Sequence, residues 1–266
     1  MSDFYNELFS NKNQTSFYES SDALNEQVIL ITGASDGIGK QLSIDFAKRG
    51  ATVIMLGRTQ KKLEAIYDLI VKEGGAEPLI LPMDLTKLDD TQALNIFNAV
   101  GEQFGKLNSI IHCAGVLGQQ TPISNIHQSS WQQVMQTNVE AAFVLTKHAM
   151  LLLNNTPESS IVFNTSSVGN QGRAYWGAYS VSKFAVEGLA QVLEDELNTT
   201  STTKVFTVNP GATRTGMRTQ AYPSENPATV KASETLSAIY GLLVLNKKRG
   251  YDDIRFNADD YLEEKS

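Results

Sequence analysis

Cysteine is almost missing from this chain of 266 residues: Cys113 stands alone, which excludes an intrachain disulfide framework. Histidine is scarce as well, and the three present are isolated from one another, so no metal site is expected. No apolar run approaches the roughly 20 residues that cross a bilayer. A basic surplus is lacking too. Lys and Arg number 22 against 29 Asp and Glu, for a net charge of −7, and the cations are scattered. That balance argues against a nucleic acid or an anionic membrane as partner. The first 24 residues lack the basic and apolar regions of a secretion signal, so a cytoplasmic location is expected.

What is present suits one domain of the larger kind, with 41% hydrophobic and 19% charged residues. Strand patterns are predicted at 28–32, 52–56, 77–81, 109–113, 160–165, 204–209 and, weakly, 253–257. Helical patterns lie between them at 37–49, 59–73, 89–104, 130–153, 179–198 and 228–245. This alternation predicts a Rossmann-type doubly wound α/β domain: a parallel sheet of about seven strands, order 3-2-1-4-5-6-7, with helices on both faces. The domain is expected to span residues 25–266. Residues 1–24 form an N-terminal arm, either disordered or docked as a short helix through Phe4, Tyr5, Leu8 and Phe9; partial docking is the expectation.

Tyr179 and Lys183 stand four residues apart in a helical stretch, which stacks both on one face. An ammonium beside a phenol favours phenolate, so the pair is expected to lower the tyrosine pKa from about 10 and to make an acid/base near neutrality. Upstream, the turn Thr32-Gly33-Ala34-Ser35-Asp36-Gly37-Ile38-Gly39 follows the apolar strand 28–32 and opens a helix. Strand, glycine-rich turn and helix together form a nucleotide-site context. Gly33 suits the tight turn, Gly37 a close approach to pyrophosphate, and Gly39 close helix–strand packing. The helix N-terminus then presents free N–H groups to phosphate.

These motifs, with Asp84-Leu85, Cys113-Ala114-Gly115, Asn138, Ser166 and Pro210-Gly211 in the same order, resemble the short-chain dehydrogenase/reductase family. The resemblance covers most of the chain. The run from Ser167 to Tyr179 and that from Asn209 to Thr215 resemble the bacterial YciK-type oxidoreductases more narrowly. The resemblance implies a catalytic set of Asn138, Ser166, Tyr179 and Lys183. Ser166 is selected over Ser167 because Ser166-Ser167-Val168-Gly169 matches the family's Ser-x-x-Gly pattern. The backbone carbonyl of Asn138 would hold a water leading to Lys183. Lys183 would also bind the nicotinamide ribose, beside Tyr179.

For the cofactor, the family likeness implies contacts from Gly33, Ser35, Asp36, Gly37, Ile38 and Gly39 in the loop. It implies Asp84 and Leu85 at the adenine, and Cys113, Ala114 and Gly115 near the adenosine ribose. Pro210, Gly211, Thr213 and Thr215 would hold the carboxamide. Cys113 departs from the family's usual asparagine, whose sheet-stabilising role must then be replaced or lost. The end of the second strand chooses between cofactors. An acid there would bind ribose hydroxyls and repel a 2′-phosphate. Leu56-Gly57-Arg58-Thr59 contains none, so NADP(H) is expected, with Arg58 as main phosphate ligand and Thr59 offering a hydroxyl. Asp36 departs from this preference, at a position often basic in NADP-preferring relatives.

The expected substrate is a small carbonyl compound or alcohol. A 3-oxoacyl-thioester reductase and a non-catalytic NADPH-sensing regulator are the alternatives. A lid is expected near 214–235. Arg173, Tyr175 and Trp176 either wall the substrate site or, for Trp176 and Arg173, merely pack beneath the lid and point to water. Apolar surface on the helices at 130–153 and 179–198 predicts a homo-oligomer, a dimer or a homotetramer.

Overall fold

The structure, a computed structural model, describes residues 3–246 and 253–262. Seven parallel strands form one sheet in the order β3-β2-β1-β4-β5-β6-β7. They are β1 (Val28–Thr32), β2 (Thr52–Gly57), β3 (Leu79–Pro82), β4 (Ser109–His112), β5 (Ser160–Asn164), β6 (Lys204–Asn209) and β7 (Arg255–Asn257). The strands are apolar on both sides because both faces are covered. In β1 and β2, Ile29, Ile31, Val53 and Met55 face one core, and Val28, Leu30, Ile54 and Leu56 face the other.

Helices α3 (Gly37–Lys48), α4 (Gln60–Lys72) and α10 (Ser237–Leu245) cover the first face. Helices α5 (Asp90–Phe104), α7 (Ala141–Asn155) and α8 (Gly177–Leu197) cover the second. Between α6 (Gln128–Met135) and α7 the chain makes one π turn, Gln136–Glu140, so the helix predicted at 130–153 is broken at Asn138. The helix predicted from residue 228 begins only at Ser237. Two short 3₁₀ turns precede it, the first opened by Pro227 under an Asn226 cap, and α9 (Gly216–Ala221) lies before them. Among the described residues, no helix is long and apolar enough to cross a membrane.

The N-terminal arm forms α1 (Asp3–Leu8) and α2 (Asn11–Glu19), docked on the α3/α10 face. Tyr5, Phe9, Phe17 and Leu24 are buried there, each contributing about 1.5–3 kcal/mol by removal from water. Phe17 reaches furthest. A Cβ on Gly241 of α10 would come within 2.2 Å of its ring, so this docking requires glycine at 241.

Candidate active site

The carboxyl ends of the strands open into a cleft of about 670 Å³. Its floor is the loop between β1 and α3. Gly33 adopts φ +69°, and a Cβ there would lie 2.8 Å from the Ala114 backbone; one on Gly39 would lie 2.6 Å from the Gly33 carbonyl oxygen. Ser35, Asp36, Gly37 and Ile38 continue that wall, Arg58 and Thr59 stand at the end of β2, and Asp84, Leu85, Cys113, Ala114, Gly115 and Thr215 close it. Pro210 and Thr213 are buried and Gly211 is half-buried. Gly211 faces Asp259, and the Thr213 hydroxyl turns back to the Pro210 carbonyl at 3.3 Å.

Asp36 caps α3 by accepting from the Gly37 N–H at 2.7 Å and also pairs with Lys62 at 3.3 Å across the mouth of the cleft. Lys62, which sequence reasoning passed over, lines that mouth beside the exposed Arg58. Asp84 accepts from the Thr86 hydroxyl at 2.8 Å and the Thr86 N–H at 3.1 Å, both at Oδ1. The hydroxyl bond holds its carboxyl below the usual range, and Oδ2 is left for an incoming donor.

Beyond Gly115 lie the four residues singled out as catalytic. A Cβ on Gly115 would sit 3.6 Å from Asn138 Oδ1 and 3.9 Å from Lys183 Nζ. Tyr179, 8% exposed, and Lys183, 5% exposed, share the first turns of α8, with the ammonium 5.6 Å from the centre of the phenol ring. Ser166 follows β5, with its hydroxyl in hydrogen-bonding reach of Tyr179. Lys183 Nζ donates to the Asn164 carbonyl oxygen at 2.7 Å.

Electrostatics here differ from the sequence expectation. Burial raises Tyr179 to about 12, against a lowering contribution from Ser166, and no lowering by Lys183 accompanies it. Burial also lowers Lys183 to about 8. Removing the phenolate from water outweighs the cation nearby, because the ammonium is turned to a carbonyl and sits over the ring rather than at the hydroxyl.

Asn138 is buried, and its side chain is not satisfied within its own helix. Oδ1 accepts from the Val116 N–H at 2.8 Å, and Nδ2 donates to the Val116 carbonyl at 3.1 Å and to the Ser182 hydroxyl at 3.0 Å. The side chain thus ties the loop after β4 to α8, while the π turn reroutes the backbone bonds around it. A water-sized cavity of about 10 Å³ lies between Asn138, Lys183, Asn164, His112 and Thr137. Thr137 Oγ1 is buried without a hydrogen-bond partner.

Three residues here escaped sequence reasoning. Asn164 accepts Lys183 on its carbonyl and the Tyr240 hydroxyl, at 3.1 Å, on its side chain. A polar residue closing an apolar strand was the signal available. Tyr240, fully buried on α10, lies beside Cys113 and braces the end of β5 through Asn164. His112 bonds Thr146 at 2.9 Å and stacks on Phe163; burial, with repulsion from Lys183, lowers it to about 3 and keeps it neutral. Cys113 lines the cleft, but burial raises its thiol to about 12, so it is an inert thiol rather than a nucleophile.

Over the site, Trp176 stands 5.9 Å from Tyr179 and 5.9 Å from Tyr222, ring centre to ring centre. Tyr222 follows α9 in the predicted lid region, and Arg173 donates to its hydroxyl at 2.8 Å. Leu117, Val168, Met217 and Ala221 complete the apolar lining around Tyr179 and Trp176.

Known proteins match both sequence and geometry. The uncharacterized oxidoreductase YciK of Escherichia coli K12 is 40% identical over 237 residues, 89% of this chain and 93% of its own length. A short chain dehydrogenase from Shigella flexneri 2a, complexed with NADP, is 40% identical with a TM-score of 0.84, covering 90% of this chain and 100% of that one. One from Escherichia coli CFT073, complexed with NADPH, is also 40% identical, with a TM-score of 0.83 over 90% and 99% of the two chains. The short chain dehydrogenase family model matches residues 27–226. With the glycine-turn cleft and the parallel sheet, these matches make the chain a member of the short-chain dehydrogenase/reductase family.

Proposed function

We propose that this chain is an NADP(H)-dependent oxidoreductase that interconverts a ketone or aldehyde and an alcohol by hydride transfer, with Tyr179 as general acid/base. The observation that carries this reading is the gathering of Ser166 and Lys183 about Tyr179, next to a cleft floored by the glycine turn and joined to it through Gly115, Leu117 and Met217. The cleft suits a dinucleotide. Gly33 and Gly39 leave no space for a Cβ, β2 ends without an acid, and Arg58 and Lys62 give a positive mouth for a phosphate. The NADP and NADPH complexes of the two relatives point the same way.

When bound, the nicotinamide supplies or accepts the hydride. Tyr179 is protonated across the physiological range, so it is ready to give its phenolic proton to a carbonyl oxygen. Ser166 donates a hydrogen bond to the same oxygen and stabilises the negative charge that develops there. Asn138 holds α8 in place through Ser182, and its π turn frees backbone beside a cavity with room for one water. That cavity reaches Lys183, and through it a proton returns to Tyr179. Pro210, Gly211, Thr213 and Thr215 would hold the nicotinamide carboxamide, Thr213 through its backbone and Thr215 through its hydroxyl.

Aldehydes, ketones and acyl thioesters assayed by NADPH absorbance test this reading. Tyr179→Phe should lower kcat by about 10²–10⁴ and leave NADPH binding nearly intact. Wild-type turnover in that variant would sink the assignment.

A further inference from the structure

The wall in front of Tyr179 is not uniformly apolar, because Arg173 ends it. The chain passes through Tyr175 in the left-handed region, φ +70°, and the Trp176 N–H returns to the Arg173 carbonyl at 3.2 Å. This tight bend puts both side chains toward Tyr222: the Arg173 guanidinium is 5.7 Å from the Trp176 ring and 6.0 Å from that of Tyr222. A non-glycine residue at positive φ is a conformation that the surroundings must enforce.

Two arginines flank Tyr222, and their circumstances differ. Arg218 lies over the ring at 3.9 Å and is neutralised by Glu225, which accepts from Arg218 Nε at 2.6 Å. Arg173 has no carboxylate partner among the described residues; its partner is the Tyr222 hydroxyl. A guanidinium carries five N–H donors, so most of its fork is free.

We propose that Arg173 is the anion anchor of the substrate site and that the substrate is an oxo acid: a carbonyl joined by a flat or apolar body to a carboxylate. This rests on the oxidoreductase reading above and names the substrate class for that same site. Trp176 links the two ends. Its ring centre is 5.9 Å from that of Tyr179 and 5.7 Å from the guanidinium carbon, so the Tyr179 ring and the Arg173 head group are at most about 12 Å apart, within reach of one small substrate. The body between them lies along Trp176 and Met217. A protein of net charge −7 repels anions in general, so an exposed arginine without a carboxylate partner, set beside the Trp176 and Tyr222 rings, is a local reversal of that field. Carboxylate binding there would also hold Tyr222 and the segment after α9 over the site.

The test compares 4-carboxybenzaldehyde with its neutral methyl ester, methyl 4-formylbenzoate, using NADPH and the full chain. The expected ratio of kcat/KM, acid over ester, is at least tenfold in the wild type. It should fall to about one in Arg173→Met and be partly restored in Arg173→Lys. A wild-type ratio near one overturns the proposal, with no variant needed. So does a ratio that survives in Arg173→Met while both rates fall, since that marks a packing role for the arginine. If no aldehyde, ketone or thioester oxidises NADPH, the oxidoreductase reading itself fails, an outcome distinct from turnover without charge discrimination.

Discussion

The Lys183 ammonium is held by the Asn164 carbonyl oxygen at 2.7 Å, at the end of β5. This contact fixes the amine between the sheet and the loop at Gly115, close to where a ribose would lie, and away from the phenol hydroxyl. It also explains how an almost fully buried lysine persists: its carbonyl partner offsets part of the desolvation. The Tyr240 strut on the Asn164 side chain keeps that carbonyl in position.

Burial of Lys183 has a consequence for stability. Its pKa falls from 10.5 to about 8 in the fold, so between those values the unfolded chain holds a proton that the native chain has released. Stability should therefore rise with pH across that window, by up to about 1.4 kcal/mol per unit from this group. Cys113 acts oppositely once the pH passes 9.0 and Tyr179 once it passes 10.0, since their raised values near 12 favour the protonated native state, so the lysine is read as a difference between two proteins that share both groups. Urea midpoints for wild type and Lys183→Met, measured from pH 8 to 10, isolate the lysine. The wild-type curve should climb relative to the variant, and parallel curves would contradict the buried-amine assignment.

Arg58 should decide cofactor choice. Loss of a charge-assisted bond to the 2′-phosphate costs about 1.5–3 kcal/mol. Arg58→Ala is accordingly expected to raise KM for NADPH by roughly 10- to 100-fold and leave KM for NADH little changed. Lys62 lines the same mouth, so Lys62→Ala should show a smaller effect of the same kind. Steady-state kinetics with both cofactors checks this; wild type using NADH as well as NADPH would refute it.

Self-association should use the outer faces of α7 and α8. Leu151 is 72% exposed and Val192 57%, and Phe143, Val181 and Phe184 are also exposed on these helices. Large apolar side chains exposed on the same helices mark surface that another chain can cover. Light scattering is expected to give a dimer or tetramer for the wild type and a smaller species for Phe184→Glu. A strictly monomeric wild type would rule the interface out.

Much of this architecture was legible because its signals are local. Val28–Thr32, the glycine turn and the amphipathic α3 can be read from one short stretch, and all seven predicted strands are found within a few residues of their predicted limits. Other features depend on distant partners. Tyr240 and Asn164 meet across 76 positions, and neither carries a motif. Phe17 docks because Gly241 has no side chain, a relation that periodicity in either segment cannot show. The start of α10 was misplaced because Ala228 and Val230 continue an apolar pattern that Pro227 and the Asn226 cap divert into 3₁₀ turns. The Tyr179 shift is opposite in sign to the expectation because spacing reveals the neighbouring charge and conceals the depth of burial.

The arm also reaches the far end of the chain. The Tyr5 hydroxyl donates to the Asp253 carbonyl at 2.7 Å, and Tyr5 and Phe9 pack on Phe256. From that same segment, Asp259 fills the space above Gly211 and pairs with Lys231, which bridges to Thr213. Trimming the first twenty residues to mimic a minimal dehydrogenase would therefore bare an aromatic scar on the back of the sheet. It would also slacken the clasp behind the β6 loop, impairing turnover without touching a single reacting group.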